Sequence, residues 1–161
     1  MGSGKSTIGK ELAEKLKMDF IDFDTYIETK EKKSVSEIFE KEGEEKFREL
    51  EKKHLNEIIK KDNAVISLGG GTPCFNNNIE TINKNGISIY LQMSVNALVK
   101  RLINAKRKRP LIKEMNEVDL KFFIATNLEK RISFYNQAKY IILSDKKSPE
   151  AISEEIMKKI I

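Results

Sequence analysis

Gly2-Ser3-Gly4-Lys5-Ser6-Thr7, running straight into Ile8-Gly9-Lys10-Glu11-Leu12, reads as most of a phosphate-binding loop opening a helix. The full pattern, G-x-x-x-x-G-K-[ST], joins a strand to a helix and cradles nucleoside triphosphate phosphates on backbone N–H groups. Glycines at Gly2 and Gly4 let that backbone approach the anion, and Ser3 lies between them. Lys5 is expected to neutralise the β- and γ-phosphates, Ser6 to put its hydroxyl on magnesium and Thr7 to support the helix start. A flexible Gly-Ser terminus is the competing reading. The apolar stripe Ile8, Leu12, Ala13 and Leu16 that follows at once argues for a structured helix instead. The first glycine of the pattern and the strand before it are not in the sequence, so the expectation is a true start upstream and a missing N-terminal strand.

At 161 residues the chain is long enough for one domain with its own core. No apolar run approaches the ~20 residues of a bilayer span, and no signal-peptide pattern opens it. A lone cysteine, Cys74, excludes an internal disulfide framework and suits a reducing cytoplasm. With His54 the only histidine, a His/Cys metal site is disfavoured. The net charge of +5 leaves nucleic acid as a partner to be weighed, with basic runs at Lys30–Lys33 and Lys106–Arg109. Acidic residues interleave with the basic ones along the chain, so solvated helix faces and a polyanionic small substrate explain the surplus better.

The organisation is strand and helix in alternation. Helices are expected at Gly4–Lys17, from Thr25 to Thr29, from a Ser34-x-x-Glu37 capping box onward with a break at Gly43 and an end near Lys61, at Asn76–Asn85, Ser94–Ala105, Val118–Tyr135, and from Ser148-Pro149 to the end. Strands are expected at Met18–Phe23, Ala64–Leu68, Ile87–Leu91 and Tyr140–Leu143. Continuous apolar strands are buried on both faces, which predicts an α/β fold with a parallel sheet flanked by helices on both sides.

Three further stretches carry chemistry. Asp22-Phe23-Asp24 ends the first strand, where α/β sheets bind ligands, and on an extended strand both carboxylates would point the same way. One could reach magnesium through water and the other accept a bond from an acceptor hydroxyl. An acidic helix cap is the plainer alternative. Gly69-Gly70-Gly71 follows a buried strand and suggests close approach of backbone to a ligand. Arg109-Pro110-Leu111 lies in a polar segment of about residues 106–116 with the character of a lid. Arg48 and Glu51, three apart on a helix, could be a surface pair, and Arg131 could serve only its helix C-terminus.

Taken in order, G-S-G-K-S-T (Gly2–Thr7), F-I-D-F-D (Phe20–Asp24), G-E-x-x-F-R-x-x-E (Gly43–Glu51), V-I-S-L-G-G-G (Val65–Gly71), R-P-L (Arg109–Leu111) and K-R-x-x-x-Y (Lys130–Tyr135) resemble the shikimate kinases of the P-loop, nucleoside monophosphate kinase-like superfamily. The resemblance implies a single kinase domain over residues 1–161, with a substrate-binding helical region at about 25–61 and the lid. It implies phosphorylation of the shikimate 3-hydroxyl by ATP with Mg²⁺, by a cytoplasmic, probable monomer with no nucleic-acid or membrane partner. Asp24 would bind the substrate hydroxyls and act as base. Arg48 and Arg131 would clamp the carboxylate, Gly70 and Gly71 would offer N–H groups, Phe47 would line the pocket and Glu51 would orient Arg48. Lys5 and Arg109 would stabilise the transferring phosphoryl group, Ser6 and (through water) Asp22 would serve the metal, and Lys147, Ser148 and Pro149 would lie near adenine. Kept open beside this are another small-molecule kinase, such as a gluconate or nucleotide kinase, a non-catalytic nucleotide-binding module and a nucleic-acid binder.

Overall fold

The structure, a computed structural model, describes residues 2–105, 112 and 114–161. Helix α1 (Lys5–Leu16) leaves the glycine loop directly and buries Ile8, Leu12 and Ala13. It ends where Lys17 turns left-handed (φ 56°) and its N–H meets the Ala13 and Glu14 carbonyls. Strand β1 (Asp19–Asp22) passes at once into helix α2 (Phe23–Glu31). This corrects the sequence expectation of a strand through Phe23 with the helix from Thr25. The Asp22 carboxylate accepts from the Thr25 N–H at 3.3 Å and caps a helix that already includes Asp24. The two aspartates therefore do not share a strand face.

Helix α3 (Val35–Ile58) opens with the expected capping box, the Ser34 and Glu37 side chains each bonding the other's backbone N–H. Gly43 breaks it with φ 87° and ψ 170°, a conformation that an L side chain rarely adopts. It stops short of Lys61 because the N–H groups of Lys60 and Lys61 bond three residues back, to Glu57 and Ile58. Strand β2 (Ala64–Ser67) leads through the glycine triplet into a 3-10 turn (Thr72–Cys74) and helix α4 (Asn78–Asn85). Two consecutive left-handed asparagines, Asn76 and Asn77, delay that helix beyond its expected start. Strand β3 (Ile89–Gln92), helices α5 (Val95–Ala105) and α6 (Glu117–Tyr135), strand β4 (Tyr140–Leu143) and helix α7 (Pro149–Ile160) complete the order. Both expected devices recur at α7: Ser148 accepts from Ala151 N–H, and Pro149 occupies the first turn.

Among the described residues all strand pairing is parallel, in two separate pairs. Asp19 to Asp22 of β1 register with Ala64 to Ser67 of β2, and Ile89 to Gln92 of β3 with Tyr140 to Leu143 of β4. One apolar cluster, including Phe23, Ile27, Ile38, Phe47, Leu55 and Ile58, joins α2 to α3. A second joins α5 to α6 through Leu98, Val99, Leu102, Leu120 and Ile124. A third sets Ile8 and Leu12 of α1 against Ile142 of β4 and Ile152 and Ile156 of α7. Helix α1 also packs on β1 and β2, so it ties the two sheet pairs together. Buried His54 adds a polar rivet, its Nε2 2.6 Å from Glu31 of α2 and its Nδ1 3.1 Å from Glu57. Those bonds hold both carboxyls below the usual range. Among the described residues, no helix is long and apolar enough to cross a membrane.

A cleft of about 470 Å³ separates the two strand pairs. Val65, Ile66 and Leu68 line one side, Ile89, Tyr90 and Leu91 the other, with Ile8 and Leu12 beneath. Among the described residues β2 pairs only with β1 and β3 only with β4, so each presents an unpaired ladder edge. This is the position at which the expected parallel sheet is interrupted, and its shape and polarity suit one more apolar strand. Extending the chain at its N-terminus by a short Val/Ile-rich strand is expected to raise the thermal midpoint by several degrees, since about 1 kcal/mol moves Tm roughly 2–4 °C at this size. A matched extension with alternate prolines, unable to donate ladder bonds, is expected to give no gain. Calorimetric midpoints that do not differ between the two would show that the cleft takes no strand.

Candidate active site

The glycine loop and the ends of β1 and β2 meet at one edge of the molecule. Gly2 and Gly4 both have positive φ, 77° and 86°, so their N–H groups turn in a way that an L side chain disfavours. A Cβ on Gly2 would lie 3.0 Å from Leu102, which seats the loop on α5. Arg101 of α5 reaches over from the other side, its Nη1 donating to the Ser3 carbonyl at 3.3 Å. Its guanidinium therefore lies against a loop built for phosphate. Sequence reading missed Arg101, which carries no signal beyond being a cation on an amphipathic helix.

Ser6 donates to Asp22 at 2.8 Å. The hydroxyl and carboxylate assigned to the metal are thus already neighbours, although Asp22 also caps α2. Asp24 lies within electrostatic reach of Lys5, so the base candidate and the P-loop lysine share the site. Burial raises the Asp24 carboxyl above the usual range, and the charges of Asp22, Glu51 and Glu28 push the same way against the opposing pull of Lys5.

The glycine triplet is where the acids and the arginine converge. A Cβ on Gly69 would stand 3.0 Å from Asp24 Oδ1 and from Thr72 Oγ1. A Cβ on Gly71 would stand 2.7 Å from both terminal nitrogens of Arg48. A side chain at either position would have to displace the carboxylate or the guanidinium that packs there. Glu51, 1% exposed, accepts from Arg48 Nη1 and from the Thr72 hydroxyl at 2.6 Å. Its partnership with Arg48 is therefore buried and branched rather than a surface pair. Glu44 takes the other side of the guanidinium, accepting from Nε at 3.2 Å and Nη2 at 2.9 Å.

Three aromatic rings surround Arg48. Its Cζ lies 6.0 Å from the ring centroid of Phe39, 5.3 Å from Phe47 and 4.1 Å from Phe75. Of these, the sequence singled out only Phe47, which is buried beside Phe39 at 4.6 Å between centroids.

Arg131 stands on α6 one turn before Tyr135, whose hydroxyl reaches the same loop. It bonds the side chain of Tyr135, whose hydroxyl donates to the Gly70 carbonyl at 2.6 Å. Arg131 and Arg48 also both act on the Cys74 thiol. Arg48 packs on Gly71, and both guanidiniums thus lie within electrostatic reach of Cys74. Burial dominates at Cys74 and pushes its thiol up, consistent with a packing role. Tyr135, the last residue of the K-R-x-x-x-Y stretch, proves to be the peg between α6 and the triplet.

Lys147, Ser148 and Pro149 precede α7, with Lys147 paired to Glu155 and the other two capping the helix. Arg109, Pro110 and Leu111, and most of the expected lid, lie outside the described residues.

A phosphate loop at the head of α1, beside parallel strands flanked by helices, defines an α/β phosphotransferase of the P-loop type. A shikimate kinase family model matches residues 1–161. The shikimate kinase of Azobacteroides pseudotrichonymphae genomovar. CFP2 is 50% identical over 99% of this chain and 95% of its own length. That of Parabacteroides distasonis is 44% identical over 98% of this chain and 94% of its own. The crystal structure of the Bacteroides thetaiotaomicron shikimate kinase superposes with a TM-score of 0.94 at 41% identity, covering 99% of this chain and 93% of that one. The Acinetobacter baumannii enzyme in complex with shikimate gives a TM-score of 0.88 at 33% identity, covering 99% and 88%. The chain belongs to the shikimate kinase family, ATP-dependent enzymes that phosphorylate the 3-hydroxyl of shikimate on the way to chorismate and the aromatic amino acids.

The buried half of the Arg48 network should dominate its energetics. Glu51→Ala strands a guanidinium and a buried hydroxyl, and should destabilise the fold by about 3–5 kcal/mol. Glu44→Ala removes a carboxylate that is 59% exposed and should cost less than about 1 kcal/mol. Urea denaturation of the two variants checks the contrast, and similar losses would contradict the burial argument.

Proposed function

We propose that this chain transfers the γ-phosphoryl group of ATP to the 3-hydroxyl of shikimate, with Asp24 as base and Arg48 and Arg131 as the carboxylate clamp. The observation that carries the reading is the packing of Asp24 and Arg48 against the glycine triplet beside Lys5, with Tyr135, one turn beyond Arg131, bonded to Gly70. A small hydroxy acid needs that combination: planar forks for its carboxylate and a carboxylate for its hydroxyl. Gly70 and Gly71 add backbone N–H groups, Phe47 an apolar wall, and Glu51 holds Arg48 in place.

At the nucleotide end, the N–H groups of Gly2 to Ser6 hold the phosphates, with Lys5 supplying positive charge and Thr7 supporting the loop. Arg101 extends that charge from α5, and Arg109 does so from the lid at about residues 106–116. Lys147, Ser148 and Pro149 border the adenine. The Ser6 hydroxyl with Asp22 behind it suits Mg²⁺, which prefers oxygen ligands, keeps several waters and binds through few protein groups. Bound there, the ion would supply charge neutralisation between the phosphates.

Phosphoryl transfer asks mainly for positioning and electrostatic stabilisation. Arg48 and Arg131 fix the acid, which sets its hydroxyl against Asp24, and Asp24 takes the proton as the oxygen bonds to phosphorus. A domain with residues 25–61 as its substrate-binding region, a cytoplasmic location and a monomer without nucleic-acid or membrane partners complete the proposal.

ADP release should depend on shikimate and should be absent with gluconate or nucleoside monophosphates. Turnover on one of those instead would reassign the substrate. Arg131→Ala is expected to raise KM for shikimate at least tenfold with little change for ATP. An equal rise for both would remove Arg131 from the clamp.

Asp24 yields a paired prediction. It binds its proton more tightly in the folded chain than in the unfolded one, so its ionised form weakens the fold above the folded pKa. That penalty fades as pH falls toward the ordinary carboxylate range. Asp24→Asn should therefore melt higher than the parent at neutral pH, the gap closing in acid, while kcat falls by about 10²-fold or more. A variant that melts lower at neutral pH, or turns over normally, would contradict the assignment.

A further inference from the structure

We propose that Phe75 is a positioning residue for the substrate carboxylate, holding the Arg48 guanidinium in the plane from which it grips the acid. This rests on the assignment of Arg48 to the carboxylate clamp. Of the three rings around Arg48, Phe75 is the nearest, with Cζ 4.1 Å from its centroid. It comes from the loop after the glycine triplet, whereas Phe39 and Phe47 belong to the same helix as Arg48. Phe75 is left half-open to solvent, at 39% exposed, as is Phe39 at 37%, where Phe47 is 4% exposed and part of the core. A large aromatic left half-open beside a charged side chain is poorly explained by core packing.

The surrounding loop is built to deliver that ring. Asn76 and Asn77 adopt consecutive left-handed conformations (φ 53° and 56°), which bends the chain back toward α3. Asn76 Nδ2 then donates to the backbone carbonyl of Arg48 itself at 3.1 Å. Asn78 fastens the other end by donating to the Thr72 carbonyl at 2.9 Å, and Thr72 bonds Glu51. The loop thus holds Arg48 at its main chain through Asn76 and at its guanidinium through Phe75.

The bonds to Glu51 and Glu44 fix the guanidinium along its edges and leave its face to be held by packing. Its five N–H groups are divided between buried Glu51, exposed Glu44 and whatever remains. Glu44 follows the helix break at Gly43 and is free to draw the group outward. A ring face resists that rotation without using any N–H, since guanidinium stacks flat on aromatics and leaves its edges available. The edge near Gly71, where no Cβ intrudes, is then kept toward the substrate.

The test compares Phe75→Leu, which keeps apolar volume but has no ring face, with Phe75→Trp, which keeps the face. KM and kcat are measured for shikimate and ATP, and shikimate affinity by calorimetric titration of the same chains. Phe75→Leu is expected to raise KM and Kd for shikimate about three- to thirtyfold. KM for ATP and the melting temperature should be unchanged and kcat within about twofold. Phe75→Trp should return shikimate binding to within about threefold of the parent. Leu and Trp variants that behave alike, or KM values that rise equally for both substrates, would overturn the positioning role while leaving the kinase reading intact. A parent chain that neither binds nor phosphorylates shikimate would remove both.

Discussion

Glu51 is the constraint from which the site hangs. A carboxylate that is 1% exposed must be partnered, and its partners come from two separate pieces of chain: Arg48 on its own helix and Thr72 beyond the glycine triplet. Once those bonds form, the triplet is fixed against α3. Gly69 then packs on Asp24 and Gly71 on the Arg48 guanidinium, so close that a Cβ at either would displace its neighbour. Tyr135 brings α6 and Arg131 to the same loop through the Gly70 carbonyl. The substrate end of the site is therefore assembled by satisfying one buried charge, and the specificity of the arrangement follows from the cost of leaving it unsatisfied.

That assembly places like charges together. Asp24 shares its surroundings with Glu51, Asp22 and Glu28, and is desolvated as well. Folding alone would favour a neutral residue there. An acid at such a position is the pattern expected where function opposes stability, and it suits the base role proposed for Asp24. Lys5 tempers the repulsion from the nucleotide side. The two halves of the site are thus electrically linked even before any ligand binds.

Much of this was legible in the sequence because it is local. The Gly-Lys-Ser loop, the Ser34 capping box, the Gly43 break, the Ser148-Pro149 helix start and the limits of β4 each depend on a few adjacent residues, and all stand where expected. The start of α2 was misplaced although its determinant, Asp22, was in view. A carboxylate at a strand end can serve a metal or cap a helix, and spacing alone does not rank the two. The rings of Phe39 and Phe75 and the reach of Arg101 were not legible, since each matters only through a contact set by the tertiary fold. Phe75 lies 27 residues from Arg48 in a polar loop with no periodicity to mark it.

Helix α1 connects the two strand pairs to the glycine loop. Between β2 and β3 there is an apolar cleft where a central strand would be expected. Nevertheless α1 holds both pairs, packing on β1 and β2 with one part of its surface and on α7 with another. The phosphate loop is the N-terminus of that same helix. The element that bridges the sheet pairs is therefore also the element that aims the loop, and the proposed clamp draws on α3, α6 and the triplet on the β2 side. Filling the cleft would add ladder bonds and apolar burial under α1. Its effect on catalysis would pass through how rigidly α1 presents Lys5 and Ser6, since the clamp is fastened independently through Glu51 and Tyr135.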